Sequence, residues 1–305
     1  MSGGHAHGGP AGDRRRLAVV LALTASVLVV QLVGALLSGS LALLADAAHA
    51  ATDSAGLAIA LVAATLALRP ASPRRTWGFR RAEVLGAALQ AAVLLLVGGY
   101  IAVEAIGRLS APPEVDPTAV LVFGAIGLAA NLVGIVVLSR GGGTGGVNMR
   151  AALLEVINDA LGSVAVLLAA GVIAVTGWQQ ADAVASLVVV ALIVPRTIAL
   201  LRETLSVLLE STPPGLDLDD VRAHLLELPH VQDIHDLHAS QITSGLPVVS
   251  AHVVVDDSCF RDGHAPQVLD QLQACLAEHF PVSVEHSTFQ LEPATHRTHE
   301  PSTHH

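Results

Sequence analysis

Residues 41–68 read LALLADAAHAATDSAGLAIALVAATLAL. The stretch is longer than the roughly 20 apolar residues that a helix needs to cross a bilayer. It nevertheless carries Asp46, His49 and Asp53. Ionisable groups inside a span are costly and mark functional sites by default. His49 and Asp53 stand four residues apart, so a helix places them on one face. The stretch reads as a membrane helix built around a polar site.

Five more apolar segments flank it, at about residues 17–37, 84–106, 119–138, 151–176 and 181–201. Each is near or above spanning length. The chain is 52% hydrophobic and only 14% charged, against about 25% charged in a soluble globular protein. Arg14, Arg15 and Arg16 before the first segment imitate a signal peptide. The apolar run behind them is long, shows no clear cleavage site and is followed by further spans, so it is expected to be a span itself. Arginines cluster in alternate connections: Arg14–Arg16, then Arg69, Arg74, Arg75, Arg80 and Arg81, then Arg140 and Arg150, then Arg196 and Arg202. The opposite connections hold only Arg108. This asymmetry puts the first side, and both termini, in the cytoplasm of a bacterial inner membrane.

The composition changes after residue 203. Residues 1–203 hold 13 Arg and 11 acids; residues 204–305 hold 3 Arg, 15 acids and 12 of the 15 His. The later part predicts a helix at 217–228, strands at 231–243 and 247–255, a helix at 265–280 and a strand at 282–291. That order suits a small ferredoxin-like sandwich. The expected fold is an all-α six-helix transmembrane domain plus a C-terminal cytoplasmic α+β ferredoxin-like domain. Its parts are a tail at 1–16, the spans at 17–203, the cytoplasmic domain at 204–292 and a His-rich disordered tail at 293–305. Five glycines and one threonine at 141–146 form a flexible linker. Cys259 and Cys275 are too few for a disulfide framework or a thiolate metal site. The acidity of the soluble part argues against nucleic acid as a partner.

The fifth segment repeats the pattern of the second. Glu155 and Asp159 are four apart, with Asn158 beside them. Two helices that each offer two ligands one turn apart can close a four-coordinate cage, and a site of N and O ligands suits zinc. The alternative is that these groups pair with one another as glue between helices. Two matched pairs in apolar surroundings favour the metal. Binding requires deprotonated carboxylates and a neutral imidazole nitrogen, so it releases protons. One cage that opens alternately to the two faces would exchange metal for protons. A membrane metalloenzyme would need a general base beside an open metal position, and no His-Glu-x-x-His occurs. A metal sensor that does not transport is the other competing class. No organic cofactor is expected.

Four motifs together resemble the cation diffusion facilitator family: SGSLALLADAAH at 38–49 with Asp53, GFRRAEVLG at 78–86, NDALGSV at 158–164, and IHDLH at 234–238 running through Ser244-Gly245 to SAHV at 250–253. The resemblance covers nearly the whole chain. It implies a homodimer of six-helix subunits in lipid, each with a cytoplasmic ferredoxin-like domain, that exports zinc, and sometimes cobalt, cadmium, iron or manganese, against protons. It places His49, Asp53 and Asp159 at the transport site. Glu155 departs from the family's usual His-x-x-x-Asp and takes the His position; harder oxygen ligands widen the expected range toward manganese, iron or cobalt. The loop before the third span has Phe79 and Arg residues but no His, so the further metal site of some relatives is not expected there. His235, His252, His264 and His286 fall where family members bind regulatory metal, which makes them the candidate cytoplasmic site for zinc.

Overall fold

The structure, a computed structural model, describes residues 26–67, 69–140, 147–243 and 245–296, and omits some side chains within them, those of Asp53 and Glu155 included. The chain divides into two compact units. One comprises the residues through Val62 with Gly86–Leu201; the other comprises Ala63–Leu85 with the residues from Arg202 onward.

The first unit is built from apolar helices: α1 (Ser26–Ser38), α2 (Leu41–Ala67), α3 (Arg81–Ser110), α4 (Pro117–Arg140), α5 (Val147–Thr176) and α6 (Gln180–Leu208). The helices α3, α4, α5 and α6 contain stretches long and apolar enough to cross a membrane; among the described residues, α1 and Leu41–Thr52 of α2 are shorter apolar stretches. The unit's core is lined by small side chains such as Ala42, Ala45, Ala105, Ala170 and Ala185, filled in by Leu41, Leu43, Ile101 and Val166. Small residues let helix backbones approach closely where solvent offers no hydrophobic drive. Large apolar residues face outward instead, Val175 at 87% exposure and Leu96 at 76%. Helices apolar all round are what a lipid-facing bundle presents. The helices outrun the apolar segments read from hydropathy; α3 begins at Arg81 and α6 ends at Leu208, because backbone hydrogen bonding continues past the apolar stretch. Gly39 takes φ +70 in the turn between α1 and α2, a conformation cheap only without Cβ.

The second unit contains α7 (Leu218–Leu226), β1 (Val231–Gln241), β2 (Pro247–Val255), α8 (Cys259–Asp262), α9 (Ala265–Glu278) and β3 (His286–Glu292). The sheet order is β1-β2-β3, with β1 and β2 antiparallel and β2 and β3 parallel. Alternation decides the core: Val249, Ala251, Val253 and Val255 of β2 turn inward onto Val221, Leu225, Val268, Leu272 and Leu276 of the helices. Ser250 and His252 therefore face the other way. Asp217 caps α7 by accepting from Asp219 N at 2.9 Å. The short α8 was not among the expected elements. The expected last strand, 282–291, begins later, at His286. Cys259 and Cys275 are free and buried, and burial, with the Glu227 charge adding to it, raises the Cys275 thiol above its ordinary value. The tail at 1–16, the linker at 141–146 and residues 297–305 lie outside the described residues.

Candidate metal centre

Within the membrane unit, α2, α3, α5 and α6 surround a cavity of about 80 Å³ whose wall includes Asp46, His49, Gln90, Asn158, Asp159 and Arg196. One water needs roughly 10–15 Å³ of such space, so a cation with several waters fits. His49 of α2 and Asp159 of α5 meet there, with Nε2 2.9 Å from Oδ1. The two residues are 110 positions apart in the chain. Asp53 lies one turn beyond His49 on α2, and Glu155 one turn before Asp159 on α5. Their side chains lie outside the described part of the structure.

Asp46, recognised as an ionisable residue in the span but not assigned to the four-residue cage, lies in the same wall. It is 6% exposed. Its Oδ2 accepts a hydrogen bond from Gln31 Nε2 of α1 at 2.6 Å and one from Ser163 Oγ of α5 at 3.2 Å. Ser163 Oγ in turn accepts from Asn131 Nδ2 of α4 at 3.4 Å. The network joins four helices. The α4 backbone comes near it at Gly127, where a Cβ would lie 2.6 Å from Gln31 Nε2. The signal in the sequence was the spacing of Asp46 three residues before His49, which is the same helix face. Gln90 Nε2 of α3 donates to Thr52 O at 2.8 Å, bracing α2 beside Asp53.

In the second unit, His235, His252 and Glu292 form a group whose potential ligand atoms all lie within 4.8 Å of one another. His235 Nε2 is 2.5 Å from Glu292 Oε1, and His252 Nδ1 is 3.9 Å from Oε2 of the same carboxylate. The rings of His235 and His252 sit 5.1 Å apart, edge to face. Register explains the group: His235 pairs with His252 across β1 and β2, and His252 pairs with Gln290 across β2 and β3. Glu292, two residues on, returns to the same face. It is only 2% exposed, and an isolated carboxylate so buried is costly. Nearby, Asp236 adopts φ 51 where the β1–β2 register shifts between His235 and His238, and its Oδ1 lies 3.0 Å from His238 Nε2.

His264 and His286, expected beside His235 and His252, stand elsewhere. His286 pairs with Val248, four residues along β2 from His252, which is about 13 Å at roughly 3.3 Å per residue. Its ring instead meets Trp77 at 4.7 Å. His264 precedes α9, with Nδ1 2.8 Å from Asp262 Oδ1 and its ring 5.9 Å from that of His230. The hydrogen bond from His264 is the main cause that draws the Asp262 carboxyl below its ordinary 3.8. Glu292, which the sequence reading did not include, is the third group that stands beside His235 and His252.

Comparison with known proteins places these features in a family. The model of the cation efflux transmembrane domain matches residues 17–209, and that of the cation efflux protein cytoplasmic domain matches residues 213–294. The metal cation efflux system protein CzcD of Cupriavidus metallidurans is 40% identical over 96% of this chain and 91% of its own length. A cadmium, cobalt and zinc/H(+)-K(+) antiporter of Bacillus velezensis is 36% identical over 96% of this chain and 93% of its own. The solved metal-bound C-terminal domain of the CzcD transporter is 34% identical over 25% of this chain and 99% of that domain, with a TM-score of 0.22. With family models across both of its parts and relatives 36% and 40% identical over more than nine-tenths of their own length, this chain belongs to the cation efflux family of membrane transporters, the cation diffusion facilitators.

Proposed function

We propose that the protein is a secondary antiporter that exports divalent transition-metal cations, zinc foremost, from the cytoplasm in exchange for protons. The observation that carries this is the meeting of His49 and Asp159 at 2.9 Å across a cavity between apolar helices. Asp53 and Glu155, one turn away along the same two helices, complete the cage in this reading. Inward-facing, the four groups lose protons and take the metal; outward-facing, protons from an acidic exterior compete for the same atoms and release it. The names of the relatives support both halves, a metal cation efflux protein and a cadmium, cobalt and zinc/H(+)-K(+) antiporter. A cage of one nitrogen and three oxygens admits cobalt and cadmium, and also iron or manganese, while zinc sites accept Glu as well as His.

In the same proposal, residues 17–203 form six spans with both termini in the cytoplasm. Residues 204–292 form a ferredoxin-like domain through which two copies of the chain associate, and 293–305 are a His-rich tail. His235, His252 and Glu292 bind a regulatory metal ion there. The test is flux in proteoliposomes made with purified protein, across a panel of divalent metals and with the outside acidic. Wild type should concentrate zinc outside only while the pH gradient stands. Asp53→Ala and Asp159→Ala should insert normally and carry no zinc. Substantial zinc flux through either variant would sink the assignment of the site, and accumulation that survives an ionophore would sink the proton coupling.

A further inference from the structure

The head of α2 is capped from another helix. A helix leaves its first four N–H groups without partners inside itself. Here Leu41 N donates to Asp182 Oδ2 at 2.7 Å and Ala42 N to Asp182 Oδ1 at 3.3 Å. Leu43 N donates to Ser40 Oγ at 3.0 Å, and Ser40 N, at the cap position, to Ser38 Oγ at 3.2 Å. Ser40 Oγ then passes its own hydrogen to Asp182 Oδ1 at 2.5 Å. All four groups are satisfied, two of them by a carboxylate 141 and 140 positions away.

Asp182 lies in the first turn of α6 and is 3% exposed. Its neighbouring cation, Arg108 at the end of α3, reaches only 4.0 Å from Oδ2 and donates to Gly39 O at 2.9 Å instead. The positive end of the α2 dipole supplies the closer compensation. Burying a carboxylate is costly, and a serine cap alone would have sufficed to start the helix. The charge does something a local cap cannot: it joins the heads of two helices that both line the cavity, α2 through Asp46 and His49 and α6 through Ile193 and Arg196.

We propose that Asp182 is a positioning residue of the transport cycle, a pin that holds the head of α2 on the head of α6 while the rest of the two helices moves. This rests on the reading of His49 and Asp159 as part of the cation site. Asp182 itself does not reach the cation. From Leu41 to His49 the axis rises about 12 Å. The pin forbids sliding and rotation of α2 about its axis, either of which would carry His49 away from Asp159, and it leaves a swing. A swing of about 10° moves His49 by roughly 2 Å but the far end of α2, about 39 Å along, by roughly 7 Å. The cation site stays nearly intact while the opposite end of the cavity opens and closes.

Without the pin, only a fraction of molecules holds His49 in register, and the apparent affinity falls by that fraction. The experiment uses full-length protein carrying Glu292→Ala, so that zinc binding reports the membrane site. Monodisperse Asp182→Asn should bind zinc about tenfold more weakly per folded molecule, with a changed zinc-to-cobalt ratio. Ser40→Ala, which spares both backbone hydrogen bonds to Asp182, should weaken it about threefold and raise the KM for zinc flux; it carries the test alone if Asp182→Asn does not fold. A merely structural role would lower yield and melting temperature while leaving affinity and metal ratio per folded molecule unchanged, and that result overturns the pin. Asp159→Ala is the control: if it binds zinc as its parent does, the site reading fails and the pin with it.

Discussion

Glu292→Ala gives the cytoplasmic metal group a quantitative test. Glu292 contributes both carboxylate oxygens to the space between His235 and His252, at 2.5 Å and 3.9 Å from their nearest nitrogens. A metal that binds the folded form alone stabilises it by RT ln(1 + [L]/Kd), about 2.7 kcal/mol at a zinc concentration of 100 Kd. For a domain of this size each kcal/mol moves the midpoint by about 4–8 °C. Zinc should therefore raise the cytoplasmic transition of the wild type by about 11–22 °C. Removing one of three ligands should cost at least the upper end of the roughly 10–100-fold loss seen when supporting groups are removed. The same zinc concentration then stands near Kd, and the remaining stabilisation is about 0.4 kcal/mol, or roughly 2–3 °C. Calorimetry on purified full-length protein, with zinc added to chelator-stripped samples, reads both shifts. An equal zinc-induced shift in wild type and Glu292→Ala would refute Glu292 as a ligand. A large loss of the shift in His286→Ala would show that the distance along β2 had been misjudged.

Three more outcomes are expected. Glu155→His should keep zinc transport and raise the preference for zinc over manganese or cobalt by about fivefold, because imidazole suits zinc and carboxylate the harder ions; competition flux assays giving identical metal ratios would show that this position carries no selectivity. Gly127→Ala places a methyl 2.6 Å from Gln31 Nε2, so Gln31 must swing away and give up its hydrogen bond to Asp46; interhelical polar contacts in membranes average about 0.6 and reach about 1.7 kcal/mol, so thermal unfolding in detergent should show a loss of about 1 kcal/mol, and an unchanged midpoint would mean that the bond contributes nothing. Asp262 should titrate below 3.8 because of His264. A carboxyl lowered in the folded state favours folding above the unfolded value and loses that contribution as pH falls through the lowered one, so the effect is confined to acid. NMR titration of His264→Ala should show Asp262 back near its ordinary value.

Much of the architecture was legible along the chain because it is written in neighbouring residues. A bilayer demands long apolar runs, and residues 84–106, 119–138 and 181–201 each fall inside a helix, α3, α4 and α6. Pro247–Val255 shows its strand in the alternation of inward Val249, Ala251 and Val253 with outward Ser250 and His252. The four-residue spacing of His49 and Asp53 needs only a helix to become a shared face. The short α8 has too few residues to display any period, and it was missed for that reason. What no local pattern contains is which distant groups meet. His49 finds Asp159 across 110 residues, and the α2 head finds Asp182 across 141. Glu292 joins His235 and His252 while His286, six residues earlier on the same strand, is held away by the register of β3 on β2. Periodicity settles which face a residue occupies; only the packing of helix on helix and the pairing of strand on strand settle what stands opposite it.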